Sequence, residues 1–79
     1  LDASSFSLYP NPTSGKIQIL GRDFTGYKVS IHNLLGEHLI KRKVDSRHPE
    51  FDLSNYPDGI YFIRIDTGEN QFTQKIILE

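Results

Sequence analysis

His48, Asp52 and Ser54 are the residue types of a hydrolytic triad. No nucleophile elbow surrounds Ser54, and no glycine-rich oxyanion loop accompanies it, so the types stand without the machinery. His32 and His38 flank Leu34-Leu35-Gly36. If that segment is a hairpin turn, the two imidazoles face each other with Cβ atoms roughly 5 Å apart. Histidine is a metal-ligand type, but two ligands without a third make no zinc site. A solvent-facing pair is the plainer reading. Asp52, Asp58 and Asp66 lack the spacing of a calcium loop, and Asp52 and Asp58 have the surroundings of turn residues. Lys41-Arg42-Lys43, with Arg47, is the one basic cluster. It reads as a solvated strand, or as an attractor for an acidic protein surface or another anionic surface.

Chemistry also needs a pocket, and size argues against one. The chain has 79 residues, 37% of them hydrophobic, with five Phe, four Tyr and no Trp. A single domain of this length buries only about 60–65% of its unfolded surface. There is no cysteine, which removes disulfides and thiolate metal sites. A net charge of −1 argues against a general nucleic-acid binder. The longest apolar runs, Ile60-Tyr61-Phe62-Ile63 and Ile76-Ile77-Leu78, are too short to span a bilayer. The chain has no signal-peptide pattern, no Met, and starts at Leu1. It reads as a domain cut from a longer protein, with any export signal upstream.

Turn residues recur every eight to twelve positions, and helical periodicity is nowhere sustained. That pattern predicts a sandwich or barrel of about seven short strands. The expected strands are 6–9, 16–20, 27–33, 37–44, 50–53, 60–66 and 71–78, after a linker at 1–5. In the third, Tyr27, Val29 and Ile31 alternate with Lys28, Ser30 and His32, giving one buried face and one wet face. Leu34-Leu35-Gly36 fits a three-residue turn with glycine in the left-handed region. That turn pairs His32 with His38 and Ile31 with Leu39. Alternation fails at Leu39-Ile40, which predicts a bulge there. Strand 60–66 is apolar on both faces and is expected to be central, with both faces covered.

The stretch Tyr9-Pro10-Asn11-Pro12-Thr13-Ser14-Gly15 has a nearly specified backbone. Pro10 and Pro12 fix φ near −65° and lack an N–H, and the residue before each is pushed toward extended conformations. Thr13-Ser14-Gly15 adds turn chemistry, with Gly15 free to take positive φ. The expectation is a rigid lead that orients the next strand or presents a shaped edge to a partner.

Four segments stand in order along the chain. They are Tyr9-Pro10-Asn11-Pro12-Thr13-Ser14-Gly15, Asn33-Leu34-Leu35-Gly36-Glu37, the run from Asp52 through Gly59 to Ile65, and Thr73-Gln74-Lys75-Ile76-Ile77. Together they closely resemble the type A C-terminal sorting domain of cargo of the bacterial type IX secretion system in the Bacteroidetes. The resemblance runs from about Phe6 to the end and takes 6–79 as one sorting domain. It implies a seven-stranded immunoglobulin-like antiparallel β-sandwich that is an address label and not a catalyst, with no cofactor. It implies a place at the C-terminus of a larger secreted cargo. It implies crossing of the inner membrane by an ordinary signal peptide, and recognition by the outer-membrane translocon without membrane insertion. It further implies removal by a sortase-like surface peptidase, with residues 1–5 as the candidate cleavage stretch.

The expected recognition residues fall in three places. Pro10, Asn11, Pro12 and Gly15 form the first. Leu34, Leu35 and Gly36 form a hairpin tip whose two leucines either dock on a partner or fold back onto the core. Lys75, Ile76, Ile77 and Leu78 form a terminal strand that could offer an unpaired edge for strand addition, and edge pairing could also join two copies. Gly59 belongs to the long third segment. The competing class is a glycan-binding or adhesion module of an extracellular enzyme. It needs an exposed aromatic row, for which Tyr27, Tyr56, Tyr61, Phe62 and Phe72 are the candidates.

Overall fold

The computed structural model describes residues 6–79; the expected linker and cleavage stretch at 1–5 lie outside them. Seven strands follow in order: β1 (Ser7–Tyr9), β2 (Lys16–Leu20), β3 (Lys28–Asn33), β4 (His38–Lys43), β5 (Glu50–Asp52), β6 (Gly59–Asp66) and β7 (Gln71–Leu78). They form two antiparallel sheets, β1-β2-β5 and β4-β3-β6-β7. The chain changes sheet between β2 and β3, between β4 and β5, and between β5 and β6, which is the connectivity of an immunoglobulin-like sandwich.

Period-two alternation builds the core. Ile17 and Ile19 on β2, Val29 and Ile31 on β3, Ile63 and Ile65 on β6, and Ile76 and Leu78 on β7 all point between the sheets and are buried. Phe24 closes one end from the loop after β2. It is fully buried and meets Phe6 and Tyr27 edge-to-face, each at 6.2 Å between ring centres. A lone Phe in an otherwise polar loop was its only sequence signal.

β6 is central, as its apolar content predicts, but its two faces are not alike. Tyr61, Ile63 and Ile65 are buried, whereas Ile60, Phe62 and Arg64 lie on the outer face, where no third layer covers them among the described residues. The expectation of two covered faces is corrected. Phe62 is half shielded instead by His32, whose ring stacks on it at 5.6 Å.

The β3–β4 turn forms as expected. The Gly36 N–H donates to the Asn33 carbonyl at 3.0 Å, the Asn33 N–H donates to the Glu37 carbonyl at 3.1 Å, and Gly36 has φ of 85°. His32 pairs with His38, but Ile31 pairs with Ile40 and not with Leu39. The expected bulge absorbs Leu39 and turns Ile40 onto the inner face opposite Ile31.

Tyr61 is buried near the start of β6, and its hydroxyl donates to the Pro57 carbonyl. This is the tyrosine corner of immunoglobulin-like folds, where a tyrosine ties the strand back to the turn that feeds it. The sequence carried it as Pro57-Asp58-Gly59-Ile60-Tyr61.

Candidate functional site

The first and last motifs meet. The segment Asn11–Thr13 lies along the outer edge of β7, where Thr13 makes a parallel bridge with Leu78. The Thr13 N–H donates to the Ile77 carbonyl at 2.8 Å, and the Glu79 N–H donates to the Thr13 carbonyl at 2.9 Å. Two residues earlier, a side chain takes over the pairing. The Asn11 amide donates to the Lys75 carbonyl at 2.9 Å and accepts the Ile77 N–H at 3.0 Å. A proline on each side of Asn11 has no N–H to give, so the side-chain amide supplies both donor and acceptor.

This arrangement corrects the unpaired edge expected for residues 75–78. That stretch is already capped from within the chain, which is how natural sheets suppress edge-to-edge pairing. Ile76 and Leu78 face the core, leaving Lys75 exposed and Ile77 partly exposed. Pro10, Asn11 and Pro12 are exposed.

Thr13 is 2% exposed, and its hydroxyl donates to the Lys16 carbonyl while accepting the Gly15 N–H at 3.1 Å. Gly15 does not use the positive φ that was open to it. Its role is close approach: a Cβ there would stand 3.3 Å from the Cβ of Ser54. The Gly15 carbonyl accepts the Leu53 N–H at 2.9 Å, so the turn is pinned to the chain after β5.

The hairpin tip resolves toward solvent. Leu34 is 67% exposed and Leu35 85%, so neither folds back onto the core. Their backbone is fixed by Asn33, whose side-chain oxygen accepts the N–H groups of Leu35 and Glu37, each at 3.0 Å. The turn therefore holds two leucines outward on a rigid base.

Register gathers these segments at one end of the larger sheet. Asn33 pairs with Tyr61 and Tyr61 with Ile76, while Gly59 pairs with Leu78, which bridges Thr13. Read across the sheet, the end carries the β3–β4 tip, Gly59, the end of β7 and the Asn11–Thr13 segment. Three strand spacings separate tip from segment, about 14 Å. Motifs far apart in sequence thus form one continuous rim.

The other candidates disperse. Asp52 and Ser54 form a local turn in which the Ser54 N–H donates to the Asp52 carboxylate at 2.9 Å, and His48 meets Gln18 through its backbone carbonyl. The Ser54 hydroxyl, then its backbone N–H, hold the Asp52 carboxyl below its usual range. Thr25 does the same for Asp23, first through its side chain. The His32 and His38 rings lie 5.6 Å apart, and among the described residues no group of three ligand types gathers.

The basic cluster does not hold together as its sequence run suggests. Arg42 turns onto the inner side, its guanidinium 4.2 Å from the centre of the Phe51 ring and donating to the Glu50 carbonyl at 3.0 Å. Arg47 pairs with Asp23 at 3.5 Å. Only Lys41 and Lys43 of the four share the outer face. The aromatic row of the competing reading is also absent among the described residues: Tyr61 is buried, and Tyr27, Tyr56 and Phe72 pack partly buried against the core.

One known family matches nearly the whole chain. The model of the family described as the secretion system C-terminal sorting domain matches residues 7–79, nearly the whole chain. The chain belongs to this type IX sorting-domain family. No curated protein matches it at a significant level. As a sorting domain it is a C-terminal signal for type IX secretion, carried as part of a larger cargo bound for the cell surface or extracellular space. Its family is that of the Bacteroidetes, and a sorting-signal domain is not itself catalytic. The matched region contains every rim segment.

Proposed function

We propose that the sorting domain is read by the outer-membrane translocon as a folded module, and that the rim is the surface read. The cargo reaches the periplasm on an ordinary signal peptide. The translocon then engages the exposed leucine tip together with the Asn11–Thr13 segment and the end of β7. A sortase-like surface peptidase removes the domain after passage. The observation that carries this reading is the gathering of Leu34, Leu35, Gly59, the end of β7 and Asn11–Thr13 at one end. Buried motif residues such as Ile76 and Gly15 keep that end in shape. Exposed ones such as Leu35 and Pro12 are available for contact.

The test is export of a fluorescent reporter carrying a signal peptide ahead of residues 1–79. It is expressed in a bacterium with a working type IX system and in a translocon-null strain. Surface or medium fluorescence in the first, with periplasmic retention in the second, is the expected result. Retention in both, with the fusion intact and folded, overturns the proposal.

A further inference from the structure

The outer face of the β4-β3-β6-β7 sheet has no covering layer among the described residues, and its charge is segregated from the rest of the chain. Register lays its side chains in rows across the strands. Lys43, Lys28, Asp66 and Gln71 make one row, and Lys41, Ser30, Arg64 and Thr73 the next. An open groove of about 350 Å³ runs over these two rows. Lys28, Lys41, Lys43 and Arg64, of nine basic residues, and Asp66, of ten acidic ones, stand on these rows, so the rows carry +3 and the remainder of the chain −4; Arg42 also borders the groove but turns its guanidinium to Phe51.

No ion pair within the described fold neutralises this charge. The one such pair among the described residues is Arg47 with Asp23, elsewhere on the molecule. Asp66, though opposite Lys28, is occupied by its own turn. It accepts the Gly68 N–H at 2.8 Å and the Gln71 side-chain amide at 3.4 Å. Edge protection accounts for lysines on β4, but not for Lys28 and Arg64, which lie on interior strands.

We propose that this groove docks an acidic protein surface of the secretion machinery, a partner chemistry that rests on the sorting-domain reading but uses a face distinct from the rim. The geometry favours a protein over a small phosphate. The cations stem from separate positions of the strand lattice, and the N–H groups of the interior strands beneath them are committed to the sheet ladder and cannot cradle an oxyanion. Their Cβ atoms stand about 5 Å apart across strands and about 7 Å apart along them. Carboxylates at alternate positions of an extended acidic segment have the same 7 Å repeat. Such a surface speeds and orients encounter, and its effect weakens as salt rises.

The test has two arms, both on the full 79-residue chain. In the first, isotope-labelled protein is titrated with poly-glutamate and, separately, with pyrophosphate and a sulfated dextran. Poly-glutamate is expected to shift the amide signals of Lys28, Ser30, Lys43 and Arg64, with affinity falling as salt rises. The K28Q/K41Q/K43Q variant weakens binding about tenfold or more, since removing even one charge-assisted hydrogen bond changes affinity by a factor of that order. The control K16Q/R47Q, at positions off this sheet, leaves it within about twofold. Tighter binding of pyrophosphate or the dextran, or an equal loss in the control, overturns the proposal. In the second arm, the triple variant is expected to slow surface appearance of the exported reporter while its unfolding midpoint stays unchanged. Export at the wild-type rate overturns the proposal. If the wild-type reporter itself is not exported, the sorting reading fails, and the first arm still decides whether the groove binds acidic chains.

Discussion

The side-chain amide of Asn11 bridges Lys75 and Ile77, accepting the N–H of Ile77 at 3.0 Å and donating to the carbonyl of Lys75 at 2.9 Å. A residue near the start of the chain thus completes the hydrogen bonding of its last strand. The prolines on either side cannot donate, which leaves this task to one side chain. Replacing Asn11 by Ala removes both bonds and is expected to cost about 1–2 kcal/mol. Asn11→Asp keeps an acceptor for Ile77 but turns a carboxylate on the Lys75 carbonyl, so its loss should be at least as large at neutral pH. Urea denaturation measures both; an Asp variant as stable as wild type would show that the donor half of the bridge is idle.

Two apolar substitutions at the rim end should separate shape from contact. Ile76→Ala opens a cavity at a fully buried site and is expected to destabilise by about 2–5 kcal/mol. Leu35→Ser, at a site 85% exposed, should change stability by no more than about 0.5 kcal/mol. Export of the reporter should nevertheless fall in both. Unchanged export of the Leu35 variant would remove the leucine tip from the recognised surface. Deletion of residues 75–79 cannot make this distinction, because it takes Ile76 and Leu78 out of the core and leaves Asn11 without these two partners.

Tyr61→Phe keeps the buried ring and deletes the hydroxyl that donates to Pro57. The expected cost is about 1–2 kcal/mol, because the carbonyl loses its partner. Thermal unfolding reads this directly, and a second substitution at Pro57 should not add to it fully.

Acid should loosen the turns first. Thr25 lowers the pKa of Asp23, and Ser54 lowers that of Asp52, each by hydrogen bonding to the carboxylate. A carboxyl depressed in the folded state stabilises above its unfolded pKa of about 3.9, and that contribution is lost as pH falls through the lower folded value. Stability should therefore decline from about pH 4 downward, and the D23N/D52N variant should decline less steeply. Parallel pH profiles for the two proteins would assign the acid sensitivity to other groups. Both side chains are exposed, so the effect is modest and weakens with salt.

Local chemistry wrote much of this protein in plain view. Alternation at Val29 and Ile31 gave β3 its buried face, and Gly36 gave the turn its left-handed residue, because both depend on neighbours within a few positions. The break in alternation at Leu39-Ile40 announced the bulge, though not which residue it would absorb. The family motifs were legible for the same reason, being runs of specific turn and strand residues. Tertiary structure alone decided where those runs meet. Asn11 lies 66 positions from Ile77, and no local signal couples them. Gly15 looked like a turn residue free to take positive φ, yet its place is set by the close approach of Ser54. Lys41, Arg42 and Lys43 read as one basic run, but a pleated strand sends alternate side chains to opposite faces, and the bulge fixes which go where. Lys28 and Arg64, distant in sequence, join Lys41 and Lys43 only because β3 and β6 pair in register. The sequence determined the strands, the turns and the family; the pairing of strands, a long-range choice made by burying the apolar faces together, decided the rim and the cationic face.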